Sequence, residues 1–199
     1  MSRTAVLVLT VFVALSTHSS ATAQRLLGQK YLSASFSSTW AGSDPPDQGA
    51  SIGISWPLGD SFHGSLSVGR SGFTGSWSDA TTAGLGLRIH GDVDRRVAPY
   101  VGVSGSAAFS DHYDAYGAGL DVGVQFSLSS RIDLSGELGI GVADSGGSET
   151  ITVYSVGMYA DISLTERLTW GVGGSLGYSP DSYSDEMVIA AATGLTWRL

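Results

Sequence analysis

The 199-residue chain has no cysteine. No disulfide can staple it, no thiolate can hold a metal, and no lipid can be attached through sulfur. Lysine occurs once, at Lys30, and charged residues of all kinds make up only 14% of the chain. The formal charge is −8. A chain so poor in cations lacks the basic patch on which phosphate attraction depends, which excludes nucleic acid as a partner. Beyond residue 23 no segment approaches the ~20 continuous apolar residues of a membrane helix, and long helical periodicity is missing. A soluble all-β domain of this length normally covers its wet face with charge; this chain cannot.

What is present is alternation. In Ala50-Ser51-Ile52-Gly53-Ile54-Ser55-Trp56 and in Leu134-Ser135-Gly136-Glu137-Leu138-Gly139-Ile140-Gly141-Val142, residues two apart are apolar, and the residues between them are mostly Gly or Ser. Residues two apart share a face of a strand, so each segment has an oily side and a small, polar side. Such segments recur over roughly 29–40, 49–58, 61–73, 80–91, 96–109, 114–128, 130–143, 150–164, 166–178 and 186–199. Lipid cannot satisfy an open sheet edge, so strands in a membrane must close on themselves. The expected fold is therefore all-β: a closed, antiparallel, up-and-down transmembrane barrel of about ten strands, with eight as the alternative.

The first residues read as a leader. Arg3 precedes the apolar run Ala5–Leu15, and Ala21-Thr22-Ala23 offers small residues for cleavage. Residues 1–23 are expected to be a signal peptide and residues 24–199 the barrel, exported to the outer membrane of a Gram-negative bacterium.

Short connections at 57–60, 90–95, 128–131 and 164–167 alternate with mostly longer ones rich in Asp, Ser, Gly and Pro. That is the pattern of periplasmic turns and extracellular loops, and it places both chain ends in the periplasm. Acidic residues such as Asp44, Asp79, Asp111 and Asp181 fall in or beside the longer loops, and Arg95, Arg96, Arg131 and Arg167 at the short turns. Aromatic residues on the apolar face gather near strand ends: Trp56, Phe126, Trp170 and Trp197 at the short-turn end, and Trp40, Phe73, Phe109, Tyr116, Tyr154 and Tyr178 at the other. Amphipathic rings in two bands are expected at the two lipid–water boundaries.

The last six residues, Gly194-Leu195-Thr196-Trp197-Arg198-Leu199, resemble the terminal assembly signal of Gram-negative outer-membrane barrel proteins, a porin-like superfamily of small barrels. Gly194, the aromatic Trp197 and the apolar last residue Leu199 carry the match. The departures are Leu in place of a final Phe, and Ala192 at a usually polar position. Ala98-Pro99-Tyr100-Val101-Gly102-Val103 also resembles mid-barrel strands of this superfamily. The resemblance implies insertion by the barrel-assembly machinery.

By parity, Asp121, Glu137, Asp161, Asp133, Arg88, His90, His63 and Arg198 point inward. Asp121 and Glu137 are expected at similar depth. Two roles compete for them: a network in which carboxylates pair with Arg88, Arg131 or Arg198 and stiffen the barrel, or an acidic constriction that favours cations. Glycines on the inward face leave room for water. The expected function is a narrow porin-like passage for small polar solutes, weakly cation-preferring. The alternative is a non-conducting structural or surface-interaction barrel acting through short acidic loops, which divalent cations could bridge to lipopolysaccharide phosphates. Membrane lipid and lipopolysaccharide are the expected partners. His63-Gly64-Ser65 places a His and a Ser on one strand, but facing the lumen and without an acidic third member, and His112 is the only loop histidine. No catalytic residue, metal or cofactor is expected.

Overall fold

A computed structural model describes residues 29–41, 46–72, 79–92, 96–111, 114–144, 150–180 and 187–199. The leader region, Phe73 and His112 lie outside the described residues. Ten strands follow one another: β1 (Tyr31–Ala41), β2 (Asp47–Pro57), β3 (Phe62–Ser71), β4 (Ala80–His90), β5 (Val97–Ser110), β6 (Asp114–Ser127), β7 (Ile132–Asp144), β8 (Ile151–Ser163), β9 (Leu168–Tyr178) and β10 (Met187–Arg198). Each pairs antiparallel with the next, and β10 returns to β1, closing the barrel. The closing seam runs from Tyr31 opposite Arg198 to Ala41 opposite Val188. No strand edge is left open to lipid.

Alternation decides which face looks out. Leu32, Phe36, Ile52, Leu66, Leu85, Leu120, Leu138, Met158 and Leu195 are all exposed on the outer wall. In water such a continuous apolar surface would drive aggregation. Around a barrel it is the band that hydrocarbon covers. Trp40, Phe126, Trp170 and Trp197 are likewise exposed, and Trp56 is half-exposed and packs on Gly64. The Trp170 indole donates to Thr193 Oγ1 at 2.8 Å, tying the girdle to the neighbouring strand. At the other end Phe109 and Tyr116 meet edge to face, centroids 6.1 Å apart.

The short turns repeat one device. Leu128 and Leu164 donate their N–H groups to Ile132 and Leu168 carbonyls at 2.9 Å. Inside each turn a hydroxyl accepts two backbone N–H groups: Ser129 Oγ those of Arg131 and Ile132, Thr165 Oγ1 those of Arg167 and Leu168. Serine and threonine suit turns because their hydroxyls satisfy the backbone locally. At the other end Gly72 has φ +94° and donates to Asp47 Oδ1 at 2.9 Å. A side chain there would strain the backbone and meet Asp79 Cα at 2.8 Å. The connection between β5 and β6 spans only residues 111–113.

The interior has three levels. Toward the short turns it is filled by Tyr31, His63, Arg88, Tyr100, Glu137 and Tyr159, all buried. At mid-height it is lined by half-buried Gly and Ser, such as Ser33, Ser67, Gly84, Ser106 and Gly119. Toward the longer loops it closes around Ala80, Ala108, Ala115, Ala143, Ile151, Val153, Val188 and Ala190, one apolar cluster. The expectation of a Gly/Ser lining therefore describes the middle level but not the outer one. There, parity still turns residues inward, but most are Ala, Val and Ile, with buried Thr39, Asp47 and Thr82 in the same rows, and they pack.

Candidate functional site in the barrel interior

Strand pairing builds the site row by row. His90 lies opposite Tyr100, Tyr100 opposite Gly123, Gly123 opposite Glu137, and Glu137 opposite Gly157. Two residue pairs higher, Arg88 lies opposite Gly102 and Gly102 opposite Asp121. Large and absent side chains alternate around the wall, so each large one can lie across the glycine beside it. A Cβ on Gly123 would collide with the Tyr100 ring, and one on Gly173 with the Tyr159 ring. A Cβ on Gly102 would meet the Asp121 carboxylate at 2.5 Å. These glycines are seats for side chains, a role beside the room for water expected of inward glycine.

Arg88 is the centre. Its Nη2 donates to Asp121 Oδ2 at 3.3 Å and pairs with Glu137 Oε2 at 3.9 Å. The guanidinium carbon sits 4.5 Å from the Tyr100 ring centroid, within cation–π range. Glu137 accepts twice more, from the Tyr100 hydroxyl at 3.1 Å and the Tyr159 hydroxyl at 3.2 Å. Both of its oxygens are thereby satisfied in a place where an unpaired carboxylate would be costly. The Glu137 side chain is 7% exposed and that of Asp121 18%. Glu137 is thus the buried anchor, and Asp121 borders the middle level. Two carboxyl groups stand against one guanidinium.

The structure brings together three of the five residues expected in the lumen network, namely Arg88, Asp121 and Glu137. Asp121 and Glu137 stand two residue pairs apart in depth, since Asp121 lies opposite Gly139 and Glu137 opposite Gly123. His90 is buried but turns to the Gly91 carbonyl, 2.9 Å from Nδ1. Asp161 is buried elsewhere, directly opposite Asp133 on β7. Arg198 joins no ion pair among the described residues; its row places it beside Tyr31. Tyr100, Tyr159 and Tyr31 were not singled out from the sequence. The available signal was parity: each falls among the Gly/Ser positions of its strand, where a phenol has no reason to face lipid.

Like charges directly opposite each other across two strands destabilise the pair. Asp161 Oδ1 has no hydrogen-bond partner among the described residues. Asp161→Asn is accordingly expected to raise the barrel's urea midpoint by a gain of roughly 1 kcal/mol. An unchanged or lowered midpoint would show that the two carboxyls are not both charged in the folded barrel.

His63 stacks on Tyr31, ring centroids 5.6 Å apart, and neither ring nitrogen has a hydrogen-bond partner among the described residues. With Ser55, Ser65, Arg88 and Asp121 it lines a cavity of about 20 Å³. That is space for about one water, and too little for an acyl or peptide substrate beside His63 and Ser65. Among the described residues no group of three His, Cys, Asp or Glu side chains could hold a metal ion.

In the terminal segment, Gly194 lies opposite Ser35 and Trp197 opposite Leu32, and Leu199 N–H donates to the Lys30 carbonyl at 2.9 Å. The residues carrying the resemblance to an assembly signal are thus part of the closing seam.

A closed antiparallel barrel with an oily exterior, two aromatic bands and a polar core defines the class: a bacterial outer-membrane β-barrel. A solved structure of that class shares the fold, and others are similar to the chain. The NanC porin matches over 83% of this chain and 100% of its own, with a TM-score of 0.53 and 7% identity. Neisserial surface protein A covers 85% of this chain at TM-score 0.43 and 14% identity, with 97% of its own chain matched. Ail of Yersinia pestis covers 87% at TM-score 0.43 and 14% identity, with 99% of its own chain matched. No family model matches the sequence, and no curated protein matches it significantly.

Proposed function

We propose that this chain is a non-enzymatic outer-membrane barrel that does not conduct in its resting form and acts through its acid-bearing outer end. The observation that carries this reading is the filling of the interior at two levels. Val153 and Val188 are 0% exposed in the apolar cluster, and the Arg88 cluster is buried toward the short turns. A constriction packed mainly by apolar side chains hinders ions even where a little space remains. Ten strands enclose a lumen that side chains of this size can fill. The short turns then face the periplasm. Exposed Asp111 and Asp114 belong to the outer rim, where divalent cations could bridge them to lipopolysaccharide phosphates.

A second reading, a narrow cation-preferring passage for small polar solutes, is favoured by one observation. Asp121 borders the half-buried Gly/Ser level, as an acidic residue in a conducting path would. Planar-bilayer recording of the refolded protein separates the two. The proposal expects no unitary steps from the native sequence. Cation-selective steps that lose selectivity in Asp121→Asn would establish the passage instead.

A further inference from the structure

A groove of about 640 Å³ runs down the outer wall where the first and last strands meet. Its sides are Leu32, Ile54, Leu66, Leu168, Leu195 and Trp197. Its floor is low because Ala34 stands between Leu195 and Ile52 in one cross-strand row. A methyl group there lies between two branched four-carbon side chains, so the wall is indented. Trp197 and Leu168 face each other at the short-turn end of the groove, and Ile52 and Val68 lie opposite each other further up. The indentation therefore covers the half of the apolar band that begins at the short turns.

A cation stands at the mouth. Lys30 is exposed and lies two residues before Leu32, on the same outward parity. Its backbone is pinned beneath the groove by the bond from Leu199 N–H. It is the chain's single lysine. An apolar channel with an ammonium at its interfacial end is complementary to an acyl chain ending in a phosphate. We propose that the groove binds one anionic phospholipid from the leaflet on the short-turn side, its acyl chain over Ala34 and its phosphate on Lys30. The proposal rests on the outer-membrane reading of the barrel. A hydrocarbon chain in the indentation restores dispersion contacts that a level wall would make with any lipid. A lysine stem lies along apolar surface and carries its charge to the headgroup level, and an ammonium engages phosphate as a point charge from any direction.

The test uses two single-tryptophan forms of the full chain, one keeping Trp197 and one keeping Trp170, with phenylalanine at the other tryptophans. Trp170 lies on the same half of the wall, opposite Leu195, but does not line the groove. Each is refolded into phosphatidylcholine vesicles containing increasing phosphatidylglycerol with brominated chains, and quenching is followed. Half-quenching of Trp197 is expected at a mole fraction roughly fivefold below that for Trp170. Lys30→Gln should bring the Trp197 curve onto that of Trp170. Coincident curves in the native background, or a Trp197 excess indifferent to Lys30→Gln, would overturn the proposal. So would Trp197 shielded from bromine together with energy transfer between labelled copies, which would make the groove an interface between barrels. Quenching of neither tryptophan would remove the membrane reading as well.

Discussion

Arg88→Met should destabilise the folded barrel by roughly 3–5 kcal/mol, read from urea or guanidinium titrations in detergent micelles. The size follows from what is stranded. Asp121 and Glu137 would remain inside the lumen, Glu137 almost fully buried, with no cation facing them. The cost of a buried, uncompensated charge exceeds the net worth of the intact pair. The triple variant Arg88→Met, Asp121→Asn, Glu137→Gln is therefore expected to recover most of the loss, because no charge is then left alone. Glu137→Gln by itself should be milder. Its amide can accept from one tyrosine hydroxyl and donate to the other's oxygen, and Arg88 keeps Asp121. An Arg88→Met barrel within 1 kcal/mol of the native one would mean that water reaches the cluster freely. That result would return the lumen to the conducting reading.

Gly173→Ala should be comparably damaging although it adds one methyl group. The new Cβ would overlap the Tyr159 ring and come within 2.7 Å of the Met158 carbonyl oxygen. The ring cannot swing away freely, because its hydroxyl is committed to Glu137. Overpacking of this kind costs about 1–3 kcal/mol when neighbours can shift, and the carbonyl belongs to a paired strand that cannot. The upper part of that range, or refolding failure, is expected. Gly136→Ala is the control: its Cβ would meet nothing nearer than 4.0 Å, and the midpoint should hardly move. Adding Tyr159→Ala to Gly173→Ala should recover the part of the loss due to the ring but not the part due to the Met158 carbonyl, while leaving Glu137 one donor short.

Strand number, strand bounds and the inward or outward sense of nearly every residue were legible in the sequence because each depends on a period of two and on nothing distant. Leu120 and Asp121 are assigned to opposite faces by parity alone. Depth and partnership depend on register between strands, which no single strand carries. Asp121 and Glu137 could be placed in the lumen but not two residue pairs apart, and Asp161 could not be separated from the Arg88 cluster until it was seen opposite Asp133. The glycines were read through their lack of volume, which was correct for Gly84 and Gly119 at mid-height. It missed Gly123 and Gly173, whose neighbours fill the space they leave. The apolar outer level was hidden for another reason. Alanine on the inward face of β4, β5 and β6 looks like one more small residue until Ile151, Val153 and Val188 are seen to meet it.

The bonding of β1 to β10 has a kinetic consequence. Those strands are the earliest and latest of the ten in the chain, so their pairing is the most non-local contact the fold possesses, and such contacts form slowly. Until the two ribbons zip, any curled sheet of nine or ten strands offers a pair of raw borders to other molecules. Shortening that last ribbon should therefore leave a species that aggregates rather than a smaller cylinder.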